Sequence, residues 1–254
     1  MGQIEGRCNR VKDGKTLLMT GASSDVGACY IHRYYENHTH IWTHYGKSEA
    51  RVAQLRNEFG EKIHPIQSDL QDAESVRSMI ETIERSGMIP NQIVHLAALK
   101  TEMKQFHKTE WIDFDAQLLV SLRSAVMILE KFLPLMRKRQ YGRVVFMLTD
   151  MVSRCVRPKY QSPYIVAKYA LLVLMKDLVY EYADKGITVN GISPDMMETQ
   201  FLANMDERVV QKNAIENPLK RNIKVDDVVP LIAYLLSDEA MAITGENISV
   251  TGGI

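Results

Sequence analysis

A phenol and an ammonium stand four residues apart in Tyr164-Ile165-Val166-Ala167-Lys168, inside a stretch whose apolar spacing predicts a helix. Positions i and i+4 share one helix face, so the two polar ends can meet. A free tyrosine, with a pKa of about 10, exchanges protons poorly at neutral pH; a nearby cation favours its phenolate. The pair has the chemistry of a proton donor and acceptor for a carbonyl or an alcohol. Such pairs also arise by chance on helix faces, so their meaning depends on the rest of the chain.

A second element supplies context. Lys15-Thr16-Leu17-Leu18-Met19-Thr20 is a short apolar run that fits a buried parallel strand. Gly21-Ala22-Ser23-Ser24-Asp25-Val26-Gly27 follows, and then a helical stretch begins. Strand, small-residue turn and helix are the ingredients of a dinucleotide site. The turn admits a pyrophosphate close to the backbone, and the helix start offers free N–H groups.

Together, Thr20 to Gly27 and the Tyr164/Lys168 pair resemble the short-chain dehydrogenase/reductase family, in the Thr-Gly-x-x-x-Gly-x-Gly turn and the Tyr-x-x-x-Lys motif. His95-Leu96-Ala97-Ala98 stands where most members have Asn-Asn-Ala-Gly, and Gly186 to Pro194 resembles the sixth strand and its exit. Ile243-Thr244-Gly245-Glu246 and Val250-Thr251-Gly252-Gly253 resemble the family's C-terminal close, so the likeness runs from about residue 14 to 254. It implies a Rossmann-type, doubly wound parallel sheet of about seven strands, and hydride exchange between a nicotinamide and a carbonyl or secondary alcohol. Tyr164 would exchange the proton, while Lys168 would hold the ribose and lower the Tyr164 pKa.

By the same resemblance, Gly21, Ser23, Ser24, Val26 and Gly27 would cradle the cofactor, with Asp69 and Leu70 beside the adenine. Tyr45 and Lys47 close the second strand, Ala97 and Ala98 follow the fourth, and Pro194, Met197 and Thr199 would meet the nicotinamide. The family's serine is reached by counting seven residues on from Gly142, at Thr149; thirteen back from Tyr164 reaches Met151 instead. Strands keep register better than loops, so Thr149 is the expected hydroxyl, with Ser153 the other in range. Alignment on Leu133-Pro134 puts Ser121 where the family has the asparagine of its proton relay. Two acids depart from the pattern. Asp25 replaces the middle glycine of the turn, where it is expected to cap the helix, and Asp195 replaces the glycine after Pro194.

The second strand ends Thr43-His44-Tyr45-Gly46-Lys47-Ser48, with no acid to bond a ribose 2′-hydroxyl. Lys47, Ser48 and His44 are candidates to hold a 2′-phosphate, so NADP(H) is expected over NAD(H). The seven histidines include His38 and His40 in alternation, with no acid or cysteine set to complete a metal site. They read as surface or structural residues, and no metal is expected.

The 254 residues carry 31 basic and 31 acidic side chains and 46% hydrophobic residues. That balance gives no reason to expect nucleic acid or an anionic membrane as partner. Three cysteines, Cys8, Cys29 and Cys155, are too scattered for a disulfide framework. No apolar run approaches the roughly 20 residues of a membrane span, and no signal-peptide core is visible, so a cytoplasmic protein is expected. Residues 1–13, with the protease-site tetrapeptide Ile4-Glu5-Gly6-Arg7, read as an extension or a leftover of protein production.

Apolar runs alternate with amphipathic stretches, the mark of βαβ units in one domain, 14–254. Strands are predicted at 15–20, 39–44, 62–67, 92–96, 142–148, 187–192 and 247–250, and helices at 26–36, 47–59, 72–86, 110–138, 163–184 and 225–236. Residues 195–222, with Met196, Met197 and Met205, read as a partly helical lid over substrate. The family's two long helices, here 110–138 and 163–184, would form a dimer or tetramer. The overall pattern is most similar to 3-oxoacyl-thioester reductases, which implies a small-molecule or thioester-bound carbonyl as substrate. A dinucleotide-binding protein with little catalysis, acting as a regulatory or partner subunit, is the alternative that Asp25, Asp195 and Ser121 raise. Epimerisation or dehydration at the same site is a third.

Overall fold

Alternation along the first strand sets the architecture. Leu17 and Met19 face one side of the sheet and Leu18 the other, and all three are fully buried. A strand hydrophobic on both faces needs helices above and below it. The computed structural model describes residues 14–100, 103–153, 159–203 and 205–254, and in it that requirement is met. In chain order the elements are β1 (Thr16–Thr20), α1 (Asp25–Tyr34), β2 (His40–Tyr45), α2 (Glu49–Phe59), β3 (Ile63–Gln67), α3 (Ala73–Ser86) and β4 (Gln92–His95). There follow α4 (Trp111–Leu118), α5 (Ser124–Arg139), β5 (Gly142–Met147), α6 (Ser162–Tyr182), β6 (Ile187–Pro194), α7 (Glu207–Glu216), α8 (Val225–Leu236) and β7 (Asn247–Val250). All seven strands pair in parallel, in the order β3-β2-β1-β4-β5-β6-β7.

Two cores follow from the alternation. Leu17, Met19, Val94 and Val145 pack under α1, α2 and α8 through Val26, Ile31, Val52, Leu55, Val229 and Ile232. Leu18, Ile93, Val144 and Phe146 pack under α3, α5 and α6 through Met79, Ile83, Phe132, Leu133, Leu171 and Met175. The strand order reverses between β1 and β4. Ligands of open α/β sheets bind beyond the strand ends at such a switch point, and that is where the motif residues gather.

The predicted strands and helices all form, with two informative differences. The helix expected over 110–138 is interrupted by a π-helical turn, Leu119–Arg123, between α4 and α5. The expected lid contains α7 and a short 3₁₀ turn, Gln200–Leu202, and is pinned from within. Among the described residues, no helix is long and apolar enough to cross a membrane.

Candidate active site

The glycine turn is held by packing and by β2. Gly21 has φ +70, the left-handed region that favours glycine. A Cβ on Gly27 would lie 2.5 Å from the Ala22 carbonyl oxygen, so the start of α1 can press against the turn only through a glycine. Ser24 caps α1, accepting from the Gly27 N–H at 3.1 Å. His44 braces the turn from behind: its Nδ1 accepts from the Gly21 N–H at 3.1 Å, and its Nε2 donates to the Ser68 carbonyl at 3.0 Å. Both ring nitrogens are used and the side chain is buried, so His44 is a strut and not the phosphate ligand proposed from sequence.

Asp25 also departs from expectation. Ser24 takes the cap position, and Asp25 is the first residue of α1. Its carboxylate pairs with Arg51 Nη1 at 2.8 Å and accepts from the Gln200 N–H at 2.7 Å. Arg51 also donates to the Ser23 carbonyl at 2.9 Å. Sequence reading missed Arg51, which lies inside α2 with no motif to mark it; only the fold brings it over the turn. Asp195 turns into the lid instead of facing the nicotinamide position, accepting from Asn213 Nδ2 at 2.9 Å and Asn217 Nδ2 at 3.4 Å.

The remaining cofactor candidates line the same strand ends. Asp69 folds an Asx turn onto the Gln71 N–H at 2.9 Å, and Leu70 is buried beside it. Tyr45 ends β2 and Lys47 is exposed just beyond it. Ala97 packs against Gly21, Ala98 follows it, and Pro194 closes β6. The Thr199 hydroxyl donates to the Met197 carbonyl at 3.3 Å. The left-handed Gly21, the Gly27 contact and the capped helix start leave bare backbone where a pyrophosphate would lie. The residues present fit a dinucleotide, with Asp25 the one acidic intrusion, held by Arg51.

α6 carries the proton chemistry. Tyr164 and Lys168 are both buried one turn apart, with Lys168 Nζ 5.7 Å from the phenol ring centroid. The ammonium donates instead to the Met147 carbonyl at the end of β5, at 2.6 Å. With the ammonium so engaged, the expected lowering of the Tyr164 pKa by Lys168 is not seen in this cofactor-free arrangement. Burial raises the phenol to about 12, Thr149 opposes the rise by hydrogen bonding, and the Asp150 carboxylate adds to it. Burial also lowers Lys168 to about 8. Thr149 follows β5 and faces the phenol, whereas Ser153 Oγ accepts from Asn247 Nδ2 at 3.2 Å and is turned toward β7. The spacing of the segment that separates the two counts includes 154–158, outside the described residues.

Ser121 lies in the π turn, fully buried, with no hydrogen-bond partner for its hydroxyl among the described residues. The back-bond to its own turn that helix serines often make is made by its neighbour, Ser124, to the Val120 carbonyl at 2.5 Å. His95 Nε2 donates to the Ser121 carbonyl at 3.0 Å, which leaves Nδ1 to accept from the Thr20 hydroxyl at 2.8 Å. His95 therefore ties the glycine strand to the π turn. Its burial lowers its pKa to about 3, and burial lowers His38 to about 4. His38 is buried and bonds the Tyr30 hydroxyl at 2.8 Å, a structural role.

A stability prediction follows. Both folded-state pKa values lie below the ordinary 6.5, so the unfolded chain takes up these protons first as pH falls. Stability is therefore lost as pH drops from 6.5 toward the folded values, by about 1.4 kcal/mol per pH unit for each histidine. Urea midpoints between pH 6.5 and 5 measure this slope. His95→Asn is expected to remove about one proton's share of it, and an unchanged slope would rule out His95 as a source.

The lid reaches both halves of the site. An open surface depression of about 640 Å³ is bordered by Asp25, Glu198, Gln200, Leu202, Met205 and Glu207. Tyr164 does not line it; Phe201, the next residue in the lid turn, packs with ring centroid 6.0 Å from that of Tyr164. Among the described residues, no group of three or more His, Cys, Asp or Glu could hold a metal ion.

Comparison with known proteins bears on the family and the fold. A family model described as enoyl-(acyl carrier protein) reductase matches residues 21–254. The 3-oxoacyl-[acyl-carrier-protein] reductase of Rickettsia bellii is 25% identical over 243 residues, covering 95% of this chain and 97% of its own. That of Aquifex aeolicus is 27% identical over 244 residues, covering 95% and 97%. Among solved structures, a gluconate 5-dehydrogenase from Burkholderia cenocepacia in complex with NADP and tartrate has a TM-score of 0.84 at 22% identity, covering 94% of each chain.

Proposed function

The chain belongs to the short-chain dehydrogenase/reductase family and is an oxidoreductase, and from that premise we propose that it reduces the carbonyl of a 3-oxoacyl thioester with NADPH. The observation that carries this reading is Tyr164, buried, protonated at neutral pH and placed between Thr149 and Lys168. A protonated phenol is the form that a reduction needs, because the nascent alkoxide must receive a proton. The nicotinamide, when bound, supplies the hydride.

The chain's own groups do the rest. Thr149 Oγ1 donates to the carbonyl oxygen and fixes its angle. Tyr164 Oη gives that oxygen its proton. Lys168, held by the Met147 carbonyl, would turn to the ribose hydroxyls and stabilise the phenolate left behind. The free hydroxyl of Ser121 offers a water its partner on the route that reprotonates Tyr164. Lys47 and the lack of an acid at the end of β2 support NADPH. Phe201, Leu202, Met197 and Met205 give the lid an apolar face suited to an acyl chain. We place this single-domain enzyme in the cytoplasm as a homo-oligomer, through the exposed Trp111, Ile112, Val166, Val173 and Tyr180 on α4 and α6.

Loss of the reduced-nicotinamide absorbance with a panel of 3-oxoacyl thioesters tests this. Turnover with NADPH exceeding that with NADH is expected. Tight NADPH binding with no turnover on any carbonyl would favour the binding-subunit reading, for which Asp25 is the specific observation.

A further inference from the structure

Of the two acidic residues that stand where the family has glycine, Asp25 touches two other elements. Asp25 holds the Gln200 N–H of the lid with one oxygen and Arg51 of α2 with the other. Gln200 and Phe201 are consecutive in a single 3₁₀ turn, and Phe201 packs on Tyr164. The position of the lid over the phenol is thus set partly from the cofactor turn. A carboxylate at the first residue of a helix lies close to where a dinucleotide phosphate binds, and alone it would repel one. The Asp25 side chain is 21% exposed and that of Arg51 35%, so the pair is only partly screened by water.

We propose that Asp25 and Arg51 form a charge-compensated latch: the carboxylate holds the lid over Tyr164, and the guanidinium neutralises it so that either nicotinamide dinucleotide can still bind. Arg51 acts here on the charge at α1 and not as a ligand of the 2′-phosphate. Both residues are positioning residues, and the proposal rests on the dinucleotide reading above.

The test is a cycle of Asp25→Gly, Arg51→Ala and the double variant, with NADH and NADPH affinities from nicotinamide fluorescence. Hydrogen exchange of the Gln200 amide is followed in the cofactor-free proteins. Arg51→Ala is expected to weaken both cofactors alike, by about tenfold, because both share the pyrophosphate. In the Asp25→Gly background the same change should have almost no effect. Gln200 exchange should quicken in Asp25→Gly and stay slow in Asp25→Asn, which keeps an acceptor oxygen without the charge. A loss confined to NADPH would make Arg51 a 2′-phosphate ligand and overturn the proposal. An equal loss with and without Asp25, or Gln200 exchange indifferent to Asp25→Gly, would overturn it too. Failure of the wild type to bind either cofactor would overturn the NADPH-dependent ketoreductase reading along with it, whereas binding without coupling overturns the latch alone.

Discussion

Tyr164→Phe is expected to lower turnover by about 10²–10⁴-fold with cofactor affinity nearly unchanged. The nearest other acid among the described residues is the Lys168 ammonium, and it is engaged by the Met147 carbonyl. Both nitrogens of His95 are committed, and its depressed pKa keeps it neutral. Thr149 can orient a carbonyl, but a threonine hydroxyl is far too weak an acid to replace the phenol. The phenyl ring keeps the contact with Phe201, so the lid should close as before. Initial rates and fluorescence titration on the same preparation separate the two quantities. A variant that retains a tenth or more of wild-type turnover would mean that protons reach the substrate by another route.

Lys168→Met is expected to abolish turnover and at the same time stabilise the fold. The lysine is 1% exposed, and burial lowers its pKa from 10.5 to about 8. Below pH 8 both folded and unfolded chains carry the charge, and the folded one bears a penalty on the order of 3 kcal/mol. As pH rises from 8 toward 10.5 the folded chain releases its proton first, so wild-type stability should climb across that window. The phenol does not oppose this until about pH 10, where unfolded tyrosines begin to ionise while Tyr164 stays protonated to about 12. Methionine has a similar volume and no charge. It forfeits the bond to the Met147 carbonyl, so only part of the penalty is recovered, and Tm at pH 7 should rise by roughly 3–6 °C. The climb between pH 8 and 10 should vanish in the variant. A variant less stable than wild type at pH 7 would show that the Met147 bond outweighs the cost of burying the charge.

Much of this was readable from residue type and spacing. Leu17, Leu18 and Met19 announce a strand buried on both faces, and with the alternating helices they require a parallel sheet. Gly21, Gly27, Tyr164 and Lys168 come from local motifs, and local motifs survive in sequence because a few bonds define them. The upstream count that favoured Thr149 over Ser153 rests on β5 keeping its register. What the sequence hid depends on side chains that meet only after folding. His44 is separated by 23 residues from the Gly21 amide that it accepts from, and Gln200 by 175 from Asp25. Nothing near Arg51 marks it as a partner of the glycine turn. The π turn at Leu119–Arg123 has no composition of its own; it places the Ser121 carbonyl toward His95, which periodicity cannot foresee. The Tyr164–Lys168 spacing correctly put both groups on one helix face, yet it could not show that the Met147 carbonyl holds the ammonium in the cofactor-free protein.

The most direct test of the central claim is transfer of a labelled hydride. NADPH carrying deuterium at the transferable C4 position would be mixed with a 3-oxoacyl thioester and stoichiometric enzyme, and the product weighed. The account predicts a 3-hydroxyacyl product one mass unit heavier than that made from unlabelled NADPH, formed by wild type and absent with Tyr164→Phe on the same timescale. Bound NADPH that stays fully labelled beside unreacted thioester would contradict the assignment of this chain as a ketoreductase of that substrate class.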